Sequence, residues 1–491
     1  MNTRESRSAC AARQFLAVEL ILLLVVAGLT AHQLLVAPIV GIADNGDYTR
    51  VMNPLGLAHV GTSYEDTVFL WIQPRYQVVT SDTSLLLPSA ELLLAGIARG
   101  LDAVFSRDGF FDLRLLGAVH LVFYLSAVWL LLRAARSLQL PARVVVWTGV
   151  LLATTDVAYV AYLNSFYSEP ASLIFAMALV GIGLGLVRAQ APNRAATCAY
   201  FVCAALFVTT KPQNYALALP LAGLPLVLLA SRRWQRLARL VVPLAFGLVV
   251  LWGFLFVSLP DLLRFPARWN GVFYGLLIDS PSPSEDLKAL GLEPELVRWI
   301  GVPGIKTDGD WIAPPIMEAA ARYGFLDVAV FYLRHPGRLV HIASLCAKQT
   351  FVWRYRGIGN YTRESGKPPA SHAPSYLGWS DMQQRLFPRN LWFLAAFFIA
   401  FAIVSLWELR QGLDTPAGST ALLSLTLATM TTMAFAVVVL AGGIEDTVVD
   451  LFMFRVLFDV CLLIALAWVA TRFARLLPVG ATRSSFVTST E

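Results

Sequence analysis

Uncharged apolar runs of about twenty residues recur along the whole chain, separated by short stretches that carry arginines, and this pattern admits few folds. A run of that length crosses the hydrocarbon core of a bilayer as one helix. Only a helix or a closed barrel satisfies its own backbone polar groups there. With 57% of residues hydrophobic and 14% charged, the composition is not that of a soluble globular domain. The expected fold class is an all-α polytopic membrane protein.

About ten segments meet the length requirement: Phe15–Val40, Leu113–Leu132, Val144–Leu163, Ala171–Val187, Ala195–Val208, Tyr215–Ala230, Leu240–Leu259, Leu391–Trp407, Ala421–Leu440 and Leu451–Thr471. The fifth and sixth are short. Positive residues orient such helices. Arg4, Arg7 and Arg13 precede the first; Arg133, Arg136 and Arg143 follow the second; Arg188 and Arg194 follow the fourth. Arg232, Arg233, Arg236 and Arg239 follow the sixth, Arg410 the eighth, and Arg472, Arg475 and Arg483 the last. With ten spans, all fall on one side, so both termini are expected in the cytoplasm and the chain in the cell (inner or plasma) membrane. The net charge of +6 therefore reports topology, and no nucleic-acid partner is expected. The run at Phe15–Val40 is too long for a cleaved signal and reads as an uncleaved span. Cys10, Cys198, Cys203, Cys346 and Cys461 are odd in number and have neither disulfide nor metal-ligand spacing.

This topology divides the chain into a membrane module at 1–260 with a first outer loop at 41–112, a large extracytoplasmic region at 260–390, membrane helices at 391–475 and a cytoplasmic tail at 476–491. Within the first loop, Leu85–Phe105 carries Glu91, Arg99 and Asp102 and suits an amphipathic helix on the outer surface. Within the second, Ser282 and Glu285 form a capping-box pattern and Gly291 a stop, which predicts a short helix. The stretch from Phe331 to Gln349 predicts an interfacial helix broken at Pro336.

Four polar strings land on the outer surface: "ADNGDYTR" (Ala43–Arg50), "LNSFYSEP" (Leu163–Pro170), "TTKPQN" (Thr209–Asn214) and "GGIEDTVVDLFMFR" (Gly442–Arg455). Each has an ordinary explanation. Asn45-Gly46 is a turn former, and Asn164, Ser165 and Glu169 suit helix caps. Lys211 can reach for headgroups, and Arg455 and Asp459 sit one helical turn apart. Asp156, inside the third segment, calls for a partner or a wet cavity. Together the strings suggest chemistry: carboxylates act as general bases toward a hydroxyl, and nearby cations stabilise a phosphate leaving group. Glycosyl transfer outside the cytoplasm, where there are no nucleotide sugars, requires a bilayer-anchored donor, a polyprenyl-phosphate sugar. Trp269, Trp299, Trp311, Trp353 and Trp379 offer flat faces for sugar rings, although tryptophan also anchors at interfaces.

A first span followed at once by "ADNGDYTRVMNPLGL", with "LNSFYSEP", "TTKPQN" and "GGIEDTVVDLFMFRVLFD", resembles the GT-C superfamily of membrane glycosyltransferases, and within it bacterial cell-envelope glycan hexosyltransferases. The resemblance covers roughly Phe15 to Arg475 and is patchy in the second outer loop. It implies an inverting transfer from a polyprenyl-phosphate donor to a cell-envelope glycan or glycolipid acceptor. Asp47 is favoured as base, and Asp44 orients the acceptor or shares the role. Glu169 and Asn164 would hold sugar hydroxyls; Lys211, with Arg50 or Arg455, would meet the phosphate. Tyr167, Gln213 and Glu445 complete the expected substrate-binding set. Some relatives use a divalent cation (Mg or Mn), for which Asp44, Asp47 and Glu169 offer oxygen ligands. The alternatives are a transporter or lipid-linked sugar flippase, disfavoured by polar residues gathered at one surface and by the lack of an internal repeat, and a non-catalytic scaffold.

Overall fold

The computed structural model describes residues 2–476 apart from 62, 64–66, 85, 303–313, 356 and 445–446. All ten expected segments are helical. Among the described residues, seven helices are long and apolar enough to cross a bilayer: α1 (Asn2–Leu35), α3 (Leu113–Ala135), α6 (Glu169–Arg188), α9 (Ala238–Val257), α15 (Leu391–Leu409), α16 (Pro416–Ala441) and α17 (Phe452–Leu476). The chain is a multi-pass membrane protein.

The eighth candidate is broken. Helix α4 (Leu140–Thr155) meets the short α5 (Val157–Val160) and a 3-10 turn (Ala161–Leu163) at a 54° bend. Asp156 stands at the break and accepts from Ala158 N at 2.9 Å, and from Trp379 N and Ser380 N at 3.0 and 2.8 Å. One carboxylate thus caps α5 and the first turn of α14 (Gly378–Leu386). The partner that a carboxylate in a span requires is therefore a pair of helix ends. The two short segments are α7 (Arg194–Thr209) and α8 (Ala218–Leu228), the latter led by a 3-10 turn, Pro212–Leu217.

The arginine-bearing connections meet at one end of the bundle. Arg136 pairs with Glu19, Arg188 donates to Ser137 O at 2.7 Å, and Arg233 donates to Ala189 O and Leu413 O at 3.0 and 2.9 Å. Arg472 pairs with Glu408. The polar strings lie at the other end, under an antiparallel sheet of β1 (Leu57–Ala58), β2 (Arg75–Val78) and β3 (Phe110–Asp112).

Helix α2 (Ala90–Phe105) is amphipathic, and its acidic residues are turned inward. Leu93, Ile97, Leu101 and Phe105 are exposed, while Glu91 and Asp102 are buried. The reason is pairing. Glu91 lies 2.9 Å from His120 Nε2, both fully buried, and accepts from Ala171 N at 3.1 Å; Arg99 meets Asp102 at 3.2 Å. Burying these charges in pairs leaves the apolar side of α2 facing outward.

A second core gathers Trp269, Leu287, Phe331 and Ile342 from α10 (Asp261–Gly271), α11 (Pro283–Ala289), α12 (Phe325–Arg334) and α13 (Pro336–Ala347). The break before Pro336 is as expected. Helix α11 also forms, but Ser282 makes no side-chain cap; instead Ser280 Oγ bonds Asp286, which Arg338 also holds. This core presses on α16 so closely that a Cβ on Gly271 would lie 2.3 Å from Leu440 O.

Candidate active site

Helix α1 ends at Leu35, two residues before the Ala37-Pro38 pair, because proline cannot continue it. The chain then enters the acidic hairpin. Asp44 builds it: its Oδ1 accepts from Gly46 N at 2.7 Å and Tyr48 N at 3.0 Å, an Asx-type turn that passes through Gly46 at φ +104°. That angle suits glycine because a Cβ would be strained there. The other oxygen, Oδ2, lies 2.9 Å from His59 Nε2. Both oxygens of Asp44 are thus engaged, and the side chain is buried. Asp47 differs. It is about one-third exposed and pairs with Arg50 at 2.8 Å.

Two residues of "LNSFYSEP" hold this hairpin from behind. Tyr167 OH donates to Ala43 O and accepts from Asn45 N, both at 2.9 Å. Asn164 Nδ2 donates to Leu34 O at 2.8 Å and Val40 O at 2.9 Å. Asn164 is fully buried and packs so tightly on α3 that a Cβ on Gly117 would lie 2.0 Å from its Oδ1. Its amide is a strut between α1 and the hairpin. Asn164→Ala is expected to lower stability by about 2–3 kcal/mol, since it orphans two buried carbonyls. A purified variant that unfolds at the wild-type temperature in detergent would refute that role.

Glu169, the first residue of α6, meets Lys211 at 2.9 Å, and Lys211 also reaches Asp450 at 3.4 Å. Gln213 donates to the same Asp450 oxygen at 3.2 Å. Burial works against the Lys211 ammonium, but Glu169 and Asp450 outweigh it and hold its pKa above the ordinary lysine value. Burial is likewise the largest influence on Asp450; Lys211 opposes it, while Asp47 and Glu169 add to it, and the net pKa lies above the usual carboxylate range. Asp47 thus stands within electrostatic reach of both residues. Asp44, Asp47, Asn164, Tyr167, Glu169, Lys211 and Gln213, spread over 170 positions of sequence, gather at one end of the bundle. Asp450 belongs to the cluster and was missed by sequence reasoning, although it stands inside the quoted "GGIEDTVVDLFMFR". Glu445 lies outside the described residues.

Arg455 is buried in α17. It donates to Val352 O at 3.0 Å and to Val448 O, and its guanidinium lies 5.1 Å from the Trp353 ring centre. It forms no ion pair with Asp459, which accepts from Tyr159 OH at 2.6 Å and from Trp379 Nε1 at 2.5 Å. A small open cavity lies alongside, lined by Ile42, Tyr162, Tyr167, Trp353, Arg354 and Val449 among others.

The carboxylates expected to bind a divalent cation do not form a ligand set. Asp44 is engaged by N–H groups and His59, and Glu169 by Lys211. Among the described residues no group of three or more His, Cys, Asp or Glu side chains is placed to hold a metal.

The chain is similar to a crystal structure of the Archaeoglobus fulgidus oligosaccharyltransferase tethered with an acceptor peptide, at a TM-score of 0.41 and 13% identity over 93% of this chain and 50% of that one. It is also similar to the archaeal oligosaccharyltransferase AglB from Archaeoglobus fulgidus in complex with an inhibitory peptide and a dolichol-phosphate, at 0.37 and 11% over 93% and 52%. The chain spans about half the length of these structures. No curated protein matches it. The family model described as the YfdI N-terminal transmembrane domain matches residues 4–479, and the chain belongs to that family.

Proposed function

We propose that the chain is an integral membrane glycosyltransferase of GT-C type that moves a sugar from a polyprenyl-phosphate donor to a cell-envelope glycan or glycolipid acceptor outside the cytoplasm. Both termini then lie in the cytoplasm, with the polar end of the bundle at the outer face of the cell membrane. The observation that carries this reading is the one-third-exposed carboxylate of Asp47 beside a largely buried cluster of Glu169, Lys211, Gln213 and Asp450. In the reaction, Asp47 takes the proton of the acceptor hydroxyl as that oxygen attacks the anomeric carbon. The bond from that carbon to the phosphate oxygen breaks, the configuration inverts, and polyprenyl phosphate leaves. Asp44 keeps the hairpin in shape, and Glu169, Gln213 and Asp450 supply oxygens and an amide for sugar hydroxyls.

The test is transfer of radiolabelled sugar from polyprenyl-phosphate donors in membranes containing the chain, against membranes lacking it. Chain-dependent incorporation into a glycan or glycolipid supports the reading. Donor lipid crossing the bilayer without transfer would replace it with a flippase.

A further inference from the structure

The cations at this end of the molecule are unequally neutralised. Arg50 has Asp47, and Lys211 has both Glu169 and Asp450. Arg354 and Arg455 have no carboxylate within 4.0 Å among the described residues. Arg354 is half-buried in the cavity wall and donates to Ala373 O at 2.6 Å. Arg455 is 1% exposed, bonds two carbonyls, and keeps a buried Nε without a partner. A carbonyl satisfies an N–H but does not cancel a charge, and the carboxylates within electrostatic reach, Asp459 and Glu169 for Arg455 and Asp156 and Asp381 for Arg354, make no direct pair with them. Trp353 joins the two, since it follows Val352, precedes Arg354, lines the cavity and lies against Arg455. Burial, with the nearby Arg354 charge, pushes the pKa of His372 in the same wall below its ordinary value.

Among the described residues the cavity carries no carboxylate in its lining. Ile42, Val157, Ala161 and Val449 are apolar, and Tyr162 and Tyr167 connect it to the catalytic cluster. Tyr167 is also within electrostatic reach of Asp44 and Asp47. An occupant that suits all of this has an anionic group for the guanidinium charges and an apolar chain for the valines.

Resting on the function proposed above, we propose that this cavity, with Arg354 in its wall and Arg455 behind Trp353, is the site of the polyprenyl phosphate group. Arg354 donates directly to the phosphate oxygens, the geometry for which a guanidinium is suited, and Arg455 adds its charge from behind the ring. Lys211, already neutralised, serves the sugar side.

The test uses the purified full chain in detergent, with tryptophan fluorescence reporting binding of undecaprenyl phosphate, undecaprenol, inorganic phosphate and phosphatidylglycerol. The wild type is expected to prefer undecaprenyl phosphate to all three others. Arg354→Gln weakens that binding by about ten- to a hundredfold, the worth of one charged hydrogen bond. Arg354→Lys recovers part of it, which guards against a folding defect, and Arg75→Gln, at an exposed surface pair, changes it by less than about threefold. If Arg354→Gln binds like the wild type, the site is wrong and the glycosyltransferase reading stands. If phosphatidylglycerol or inorganic phosphate binds equally well, the cavity is not a polyprenyl phosphate site. A wild type that binds undecaprenol and its phosphate alike overturns both readings.

Discussion

Asp47→Asn lowers sugar transfer by about a hundred- to ten-thousandfold, the usual contribution of a positioned general base, while the apparent unfolding temperature stays at the wild-type value. The second half follows from its surroundings. Asp47 is about one-third exposed, and its ion pair with Arg50 is solvated; pairs of that kind contribute about 0–1 kcal/mol. Asn fills the same volume and has no basic oxygen. Asp44→Asn is expected to behave differently. It replaces a buried carboxylate that accepts two backbone N–H bonds and faces His59, so activity and unfolding temperature fall together. Comparing both variants at matched expression, by transfer assay and thermal unfolding, separates base from scaffold. Full activity in Asp47→Asn would remove it as the base, and an Asp44→Asn variant of wild-type stability would contradict its structural part.

The helices were legible because each apolar run carries its own signal, and the arginine asymmetry sorted their ends correctly: Arg136, Arg188, Arg233 and Arg472 gather at one end. The four polar strings were also found at the opposite end. What sequence could not supply was which residues are struts. Asn164 and Tyr167 stand out as polar residues near an acidic motif, yet their amide and hydroxyl bond backbone more than 120 positions away. Nothing local distinguishes such a residue from one that meets a sugar. The same holds for Glu91. In the sequence it is only part of an amphipathic stretch, and the fold provides His120 and the first turn of α6 as its partners. Arg354 left no signal, because which side chains surround an arginine becomes visible only in the fold.

Lys211→Met is the substitution with the largest expected effect on stability, a loss of about 3–5 kcal/mol, because it strips the cation from two carboxylates that stay behind. Glu169 is 3% exposed and Asp450 20%, so water compensates little at the first. The pH dependence gives the sharper test. Lys211 has its pKa raised in the fold, so its stabilisation is fully present below the unfolded lysine pKa of about 10.4 and is lost as pH rises through the higher folded value. Asp450 also has a raised pKa. Only between the ordinary carboxylate pKa and the raised folded value does its folded form hold a proton that the unfolded form has released, so its burial penalty is fully present above the folded value and relieved as pH falls through it. Removing Lys211 deletes the main influence that lowers it, so Lys211→Met should regain stability on mild acidification faster than the wild type. The gap between the two is then widest near neutrality. Apparent unfolding temperatures in detergent between pH 5 and 8, at one scan rate, measure it. Glu169→Gln in the Lys211→Met background should recover part of the loss, since it removes one of the stranded charges. A gap that is flat across this range, or no loss at pH 7, would show that the cluster is solvated and does not act as a buried, mutually neutralised unit.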